Sequence, residues 1–315
     1  LLPSVRFNFD PQLSGVPGIN YKDTFFEFYQ VDTLMPNLEI YQALLNIIYD
    51  LKPLFIYNIG DSNILADLCS SFTTTASLPC SYEIPISCSK YLLVGRSLDQ
   101  RDATQLNEIN SNQHIIETEM NFQVRQDDIQ YTRSDFRLDE NTFILCIIGN
   151  RLDYEIDEAF IQLMKKIVCT SDIHIMLIGN IENEKRIVDE IPKEKHPQLH
   201  LLGYQKYGNC VLKMSNLYVN PRRSGGGRSS FEALSQGIPV ITLQNSDVFY
   251  TCGSAFSVKD YDEMYSKIIE YYSNSYYYDS MSKLAIQRYI RLSDIAGTQK
   301  ALIDAIMANE LQDIE

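Results

Sequence analysis

The chain has 315 residues, with 27 Lys and Arg against 41 Asp and Glu, a formal net charge of −14, and 45% apolar residues. That length suits one large or two ordinary domains, and the apolar fraction is enough for real cores. The acidic balance argues against nucleic-acid binding and against electrostatic docking on anionic lipid, both of which want basic surface. The seven cysteines, at 69, 80, 88, 146, 169, 210 and 252, form no Cys-x-x-Cys pair. An odd number without a framework points to a reducing compartment and hence the cytoplasm. The cysteines and the four histidines form no zinc-site pattern together. No apolar run approaches the roughly 20 residues that span a bilayer, and no signal peptide is visible. The start at Leu1-Leu2-Pro3 reads as a processed product or an excised fragment.

Ser4 to Phe9 reads as a strand and Asp10 to Gly18 as turn chemistry. Asn37 caps a helix with the apolar stripe Leu38, Tyr41, Leu44, Leu45, Ile48 and Leu51, which Pro53 stops. Leu54 to Ile59 is a buried strand, Ser62 to Cys69 a helix with Asp61 and Ser62 as caps, and Thr73 to Leu78 the next strand. Pro79 to Lys90 is a polar loop suited to rim a ligand site. Tyr91 to Gly95 is a strand, Asp99 caps the helix Gln100–Ile109, and His114 to Thr118 is a further strand. Strands alternating with helices imply a parallel sheet, which binds ligands beyond the carboxyl ends of its strands. Asn58, Gly60, Asp61, Ser62, Gly95, Arg96, Glu117 and Glu119 stand at those ends. Met120 to Glu140 is polar and poor in apolar periodicity, and reads as an interdomain connection able to act as a hinge.

Thr142 to Ile148 is a continuous apolar strand ending at Gly149-Asn150-Arg151, with Cys146 as a buried thiol. Glu158 to Cys169 is a helix, Ile173 to Ile178 a strand and Ile181 to Ile191 a helix ended by Pro192. Leu199 to Leu202 is a third strand followed by Gly203-Tyr204, and Asn209 to Met214 a short helix. Tyr204 offers an aromatic stacking face.

Leu217 to Val219 is a short strand that ends at Asn220-Pro-Arg-Arg-Ser-Gly-Gly-Gly-Arg-Ser-Ser230. Three glycines let a ligand approach the backbone closely. Ser229 and Ser230 read as caps for a helix through Phe231, Ala233 and Leu234, which Gly237 ends before the strand at Ile238–Ile241. Backbone N–H groups at a helix start form an anion site, and Arg222, Arg223 and Arg228 add positive charge around it. In an acidic protein, such a local basic spot fits a small phosphorylated ligand. Gln244 to Tyr250 reads as a loop beyond a strand end, with Asp247 as a candidate acceptor of ligand hydroxyls. Helices follow from Lys259-Asp260, with a break at Asn274 amid Tyr271, Tyr272, Tyr276, Tyr277 and Tyr278, and again over Ser282–Met307, closing back on the first domain.

The segment from Asn220 to Leu243 resembles the donor-binding segment of GT-B glycosyltransferases, in particular retaining enzymes of the group 1 type, with some likeness to O-GlcNAc transferases. Many retaining members carry a Glu, seven residues, a second Glu, then Ala-Leu and Gly-x-Pro-Val. Glu232, Ala233-Leu234 and Gly237-Ile-Pro-Val240 match the second half, and Ser224 stands where the first Glu falls. The resemblance covers about residues 140–310. It implies an α/β chain of two Rossmann-like parallel-sheet domains: an amino-terminal acceptor-side domain over residues 1–135 with a linker at 120–140, and a carboxy-terminal nucleotide-sugar domain over 141–315. The first domain, with about four strands, is short or truncated. The implied reaction moves a sugar from a nucleoside diphosphate, UDP- or GDP-linked, to a carbohydrate, lipid-linked or protein acceptor, with no metal and no cofactor.

The resemblance puts Arg151 on the donor diphosphate and Glu232 on the ribose hydroxyls. A lysine usual a few residues after Arg151 is replaced by Glu155-Ile-Asp157, so Arg222, Arg223 or Arg228 would take its place. Asn150, Tyr204, Asn220, Ser224, Gly225, Gly226, Gly227, Arg228, Ser229 and Ser230 complete the candidate donor contacts. Two other readings fit parts of the pattern. One is a non-catalytic subunit partnering an active glycosyltransferase, or a homo-oligomer of such chains. The other is a nucleotide-sugar 2-epimerase, whose Ser-Gly-Gly motif resembles Ser224-Gly225-Gly226.

Overall fold

The computed structural model describes residues 11–13, 15–31, 35–60, 63–125 and 127–312. The expected strand at Ser4–Phe9 and the caps Asp61 and Ser62 lie outside the described residues. The chain forms two compact units. The first comprises the residues up to Leu78 with Pro85–Leu92 and Ile109–His114; the second comprises Pro79–Ile84, Leu93–Glu108 and everything from Ile115.

The first unit opens with an antiparallel hairpin of β1 (Gly18–Tyr21) and β2 (Thr24–Glu27). Sequence pattern does not reveal it: its turn, Lys22-Asp23, takes positive φ at both residues, where Asn-Gly is the usual signal. Helix α1 (Leu38–Leu51) follows, and the Asn37 side chain accepts from the Glu39 and Ile40 N–H groups as expected. Next come β3 (Ile56–Ile59), α2 (Ile64–Cys69) capped by Asn63, and β4 (Thr75–Leu78). With β5 (Tyr91–Val94), α3 (Ala103–Glu108) and β6 (His114–Glu117), they make a four-stranded sheet in the order β3-β4-β5-β6. β3 pairs with β4, and β4 with β5, in parallel. Asp99 and Asp102 form the capping box of the short 3-10 turn that leads into α3.

The second unit continues with β7 (Ile144–Ile148), α4 (Leu152–Glu155), α5 (Glu158–Thr170), β8 (His174–Ile178), α6 (Lys185–Val188), β9 (Leu199–Leu201) and α7 (Gly208–Leu212). Then come β10 (Leu217–Val219), α8 (Gly227–Ser235), β11 (Val240–Leu243), α9 (Asp247–Cys252) and β12 (Ser257–Val258), before the terminal helices α10 (Tyr261–Ser273), α11 (Ser275–Ser293) and α12 (Ile295–Gln312). Its parallel sheet has the order β12-β11-β10-β7-β8-β9. β7, β8 and β10 are central and read as unbroken apolar runs because helices cover both faces. Leu145, Ile147, Phe160, Ile161, Leu177 and Phe231 are fully buried in its core, and so is the Cys146 thiol. Among the described residues no helix is long and apolar enough to cross a membrane.

Three local expectations need correction. The helix expected over Ile181–Ile191 shrinks to α6, because the N–H groups of Glu182 and Asn183 turn to the Asp153 carboxylate. Helix α8 starts at Gly227, two residues before Ser229, and its cap is Gly226 at φ 105°, a conformation glycine adopts without steric cost. The supposed loop at Gln244–Tyr250 is mostly helix: Asn245 at φ 62° turns the chain, and the Ser246 hydroxyl caps α9 by accepting from Phe249 N–H at 3.1 Å.

Candidate functional site

The glycine turn lies at the carboxyl end of β10, where a parallel sheet places its ligands. Its geometry is set from beneath by Arg223. This guanidinium is almost fully buried and every branch is engaged: Nε donates to Asn220 Oδ1 at 2.7 Å, one terminal nitrogen to Glu155 Oε2 at 2.6 Å, and the other to the Ile148 carbonyl and the Tyr218 hydroxyl. Asn220 is itself buried, with its amide nitrogen on Thr242. The two residues that sequence pattern placed on a ligand are therefore parts of the floor. A side chain on Gly226 would come within 3.0 Å of the Arg223 guanidinium, the Asn220 amide and Val248, so the turn has room for glycine alone. Ser230 points inward too, donating to the Gly227 carbonyl, and neither it nor Ser229 caps the helix.

Other candidates converge on the open side of the turn. Arg151 is exposed, and its guanidinium stands 3.8 Å from where a Cβ on Gly225 would lie. Glu155 steadies it through Oε1 at 3.4 Å, so one carboxylate serves both Arg151 outside and Arg223 inside. Arg222 is exposed, with its guanidinium over the Tyr261 ring at 5.6 Å and its N–H on the Tyr261 hydroxyl. Arg228 on α8 bridges to Glu232 one turn later at 3.3 Å. Burial pushes the Glu232 carboxyl up, and Arg228 pulls it back down. Ser224 is exposed and carries no carboxylate; its carbonyl accepts the Asp247 N–H at 2.9 Å. Asn150 and Tyr204 are exposed, the first after β7 and the second after β9, with β8 between those strands, Tyr204 just after the left-handed Gly203.

Sequence reading assigned no role to Arg125. It ion-pairs with Asp127 at 3.0 Å, lies over the Tyr207 ring and lowers the Glu232 carboxyl electrostatically. Nothing local marks it, since the contacts come from α8 and the segment before α7. Of the strand-end residues expected at a cleft, Gly95, Arg96, Glu117 and Glu119 line a cavity of about 840 Å³ within the second unit. Tyr250 of α9 forms part of its wall, its ring flanked by the Arg96 and Arg101 guanidinium groups and its hydroxyl on Asp99. Asn58 instead joins a buried cluster with Ser77 and Ser89 in the first unit.

Comparison with known proteins agrees with this arrangement. The sequence matches no curated protein. The fold is similar to that of a glycosyltransferase from Rickettsia africae ESF-5, at 11% identity and TM-score 0.67, covering 88% of this chain and 83% of that one. It is similar to HepE from Anabaena, solved in complex with UDP and glucose, at 12% identity and TM-score 0.60, covering 86% and 82%. An O-GlcNAc transferase variant from Thermobaculum terrenum aligns at 13% identity and TM-score 0.61, over 84% of this chain but 54% of that one. These likenesses show an α/β fold of the GT-B glycosyltransferase type. The family model described as glycosyl transferases group 1 matches residues 128–288, just over half of the chain and all of the glycine turn with its arginines. With strand end, glycine turn, flanking guanidinium groups and Glu232 in one place, the chain belongs to the glycosyl transferases of group 1 and is a glycosyltransferase.

Proposed function

We propose that the chain transfers a sugar from a nucleoside diphosphate sugar, UDP- or GDP-linked, and that the glycine turn holds the diphosphate. The observation that carries this reading is the placement of an exposed guanidinium, Arg151, over a side-chain-free helix start at Gly225–Gly227. The first N–H groups of an α-helix have no partner within the helix and favour negative charge. The difficult event in glycosyl transfer is departure of the anionic diphosphate. Fixed dipoles and cations aimed at that charge lower its barrier without reorganising. In this reading Arg151, with Arg222 and Arg228 at the rim, meets the charge, and no resident metal or cofactor is assigned to the step. Arg223 acts one layer below, as a brace. Glu232 takes the ribose hydroxyls, Tyr204 and Asn150 border the nucleoside, and the acceptor is a carbohydrate, a lipid-linked sugar or a protein.

The test is a panel of UDP-, GDP- and TDP-sugars, followed for nucleotide release and for transfer to added acceptors. Release of one nucleoside diphosphate, lost in Arg151→Ala and kept in a surface control such as Lys300→Ala, supports the reading. Absence of release and of calorimetric binding across the panel overturns it.

A further inference from the structure

Beside the glycine turn stands a carboxylate that the fold does not use. Asp247 is the first residue of α9, and its N–H donates to the Ser224 carbonyl at 2.9 Å. Its Cβ lies 3.4 Å from where a Cβ on Gly227 would be. Its backbone therefore follows the turn from Ser224 to Gly227. The side chain is half-buried, and among the described residues no hydrogen bond or ion pair reaches its carboxylate.

The first turn of α9 favours negative charge, but that asks neither for burial nor for a position against the glycine turn. The cap of α9 is supplied by Ser246, whose hydroxyl accepts from Phe249 N–H. The start of the helix is fastened by Thr251, whose hydroxyl lies 2.8 Å from both the Asp247 carbonyl and the Tyr82 hydroxyl. Both fastenings use the Asp247 backbone or its neighbours. A half-buried carboxylate without partners costs stability, and its acceptor sites demand donors. Burial pushes this carboxyl up to about 6, with Glu83 adding like charge. A group held at such a cost against a ligand-binding turn is a functional candidate.

We propose that the Asp247 carboxylate contacts the substrate: it accepts a hydrogen bond from a hydroxyl of the sugar whose diphosphate occupies the glycine turn, and so selects the sugar. The inference rests on the donor reading above. It places the sugar on the α9 side of the turn, within reach of Ser224 and Asp247, with the diphosphate over Gly225–Gly227. The hydrogen bond goes to a charged acceptor, which discriminates strongly between a donor that bears the hydroxyl and one that lacks it.

The experiment begins with the panel above, which identifies the best donor and its bare nucleoside diphosphate. The variants are Asp247→Asn and Asp247→Ala, with thermal unfolding as the control for folding. The expected result is a fall of about 10- to 100-fold in kcat/KM for that donor, with affinity for the bare diphosphate unchanged. One singly deoxygenated donor should then be used equally by the native chain and by Asp247→Ala. The native kcat/KM should also fall as pH drops through about 6, and this limb should vanish in Asp247→Asn. The other titratable groups around α9 are Glu83 and Tyr82 on the 79–84 segment, Arg96, Asp99 and Arg101 around the Tyr250 ring, and Arg288 on α11, and none of them is altered. If no diphosphate binds the native chain, the donor reading itself falls. If diphosphate binds, and both variants keep native kcat/KM, pH profile and response to every deoxy donor, this inference alone is wrong.

Discussion

Glu155 and Arg223 form an ion pair at 2.6 Å, with side-chain exposures of 10% and 4%. The pair joins the segment after β7 to the segment after β10 and closes the floor of the glycine turn. Removing one partner leaves a buried charge uncompensated. Glu155→Gln should therefore cost about 3 kcal/mol of stability, seen as a lower midpoint in urea. Replacing both residues by apolar ones of similar volume should cost less than either single change, which a double-mutant cycle reads directly.

Arg151 makes the opposite case. It is 67% exposed, and its guanidinium pairs with Glu155 at 3.4 Å. Arg151→Ala should leave the unfolding midpoint within about 0.5 kcal/mol of native while reducing kcat/KM about 100-fold through lost charge on the leaving group. Steady-state kinetics beside thermal unfolding separate these effects.

Gly226 tests the turn itself. Gly226→Ala should destabilise by about 1–2 kcal/mol, because its left-handed φ and the 3.0 Å approach of Arg223, Asn220 and Val248 both oppose a side chain. It should also weaken diphosphate binding measured by calorimetry, because relief of the clash moves the N–H groups. The companion Gly225→Ala, next to the exposed Arg151, should keep its stability and lose only affinity.

Asp247→Asn should raise stability at pH 7. The folded carboxyl is pushed up to about 6, above its ordinary value, so the folded state holds its proton more tightly than the unfolded chain. That contribution is fully present below pH 4 and is lost as pH rises through about 6. At pH 7 the charge is a burden, and removing it should gain about 1 kcal/mol once solvent screening is allowed for. Differential scanning calorimetry at pH 4 and pH 7 checks it: a gain at pH 7 and none at pH 4.

His174 and His200 set the acid limit. Their rings stack across β8 and β9 with Nδ1 of one 2.9 Å from Nε2 of the other. Burial lowers both, and the neighbouring ring helps bring His200 down to about 4. The folded state thus favours the neutral imidazoles. Stability is intact above pH 6.5 and falls as pH drops from there toward about 4, where the unfolded chain takes up protons that the fold refuses. The loss should be about 1–2 kcal/mol after screening, and His200→Leu should flatten the slope of denaturation midpoint against pH.

What the sequence revealed and what it hid divides by range. Asn37 and Asp99 were legible as helix caps because a cap acts on the next three residues. The second sheet was legible because its central strands are unbroken apolar runs. Arg223 looked like its neighbour Arg222, and partners distant in the chain, Glu155 and the Ile148 carbonyl, hold one buried while the other is exposed. The hairpin at β1 and β2 escaped because its turn lacks the residues that usually mark one. Helix α9 escaped because six residues are too few to show a period, although Ser246 was there to cap it.

Arg223 has one more effect. It ties Asn220 to the end of β7 directly beneath the glycine turn. The segment is thus ordered during folding, and a ligand that arrives later encounters amides already aligned. Little conformational entropy then remains to be lost on association. In the empty protein, the backbone amides of residues 219–230 should exchange with deuterated water nearly as slowly as those of β10, and should slow only slightly when the site fills.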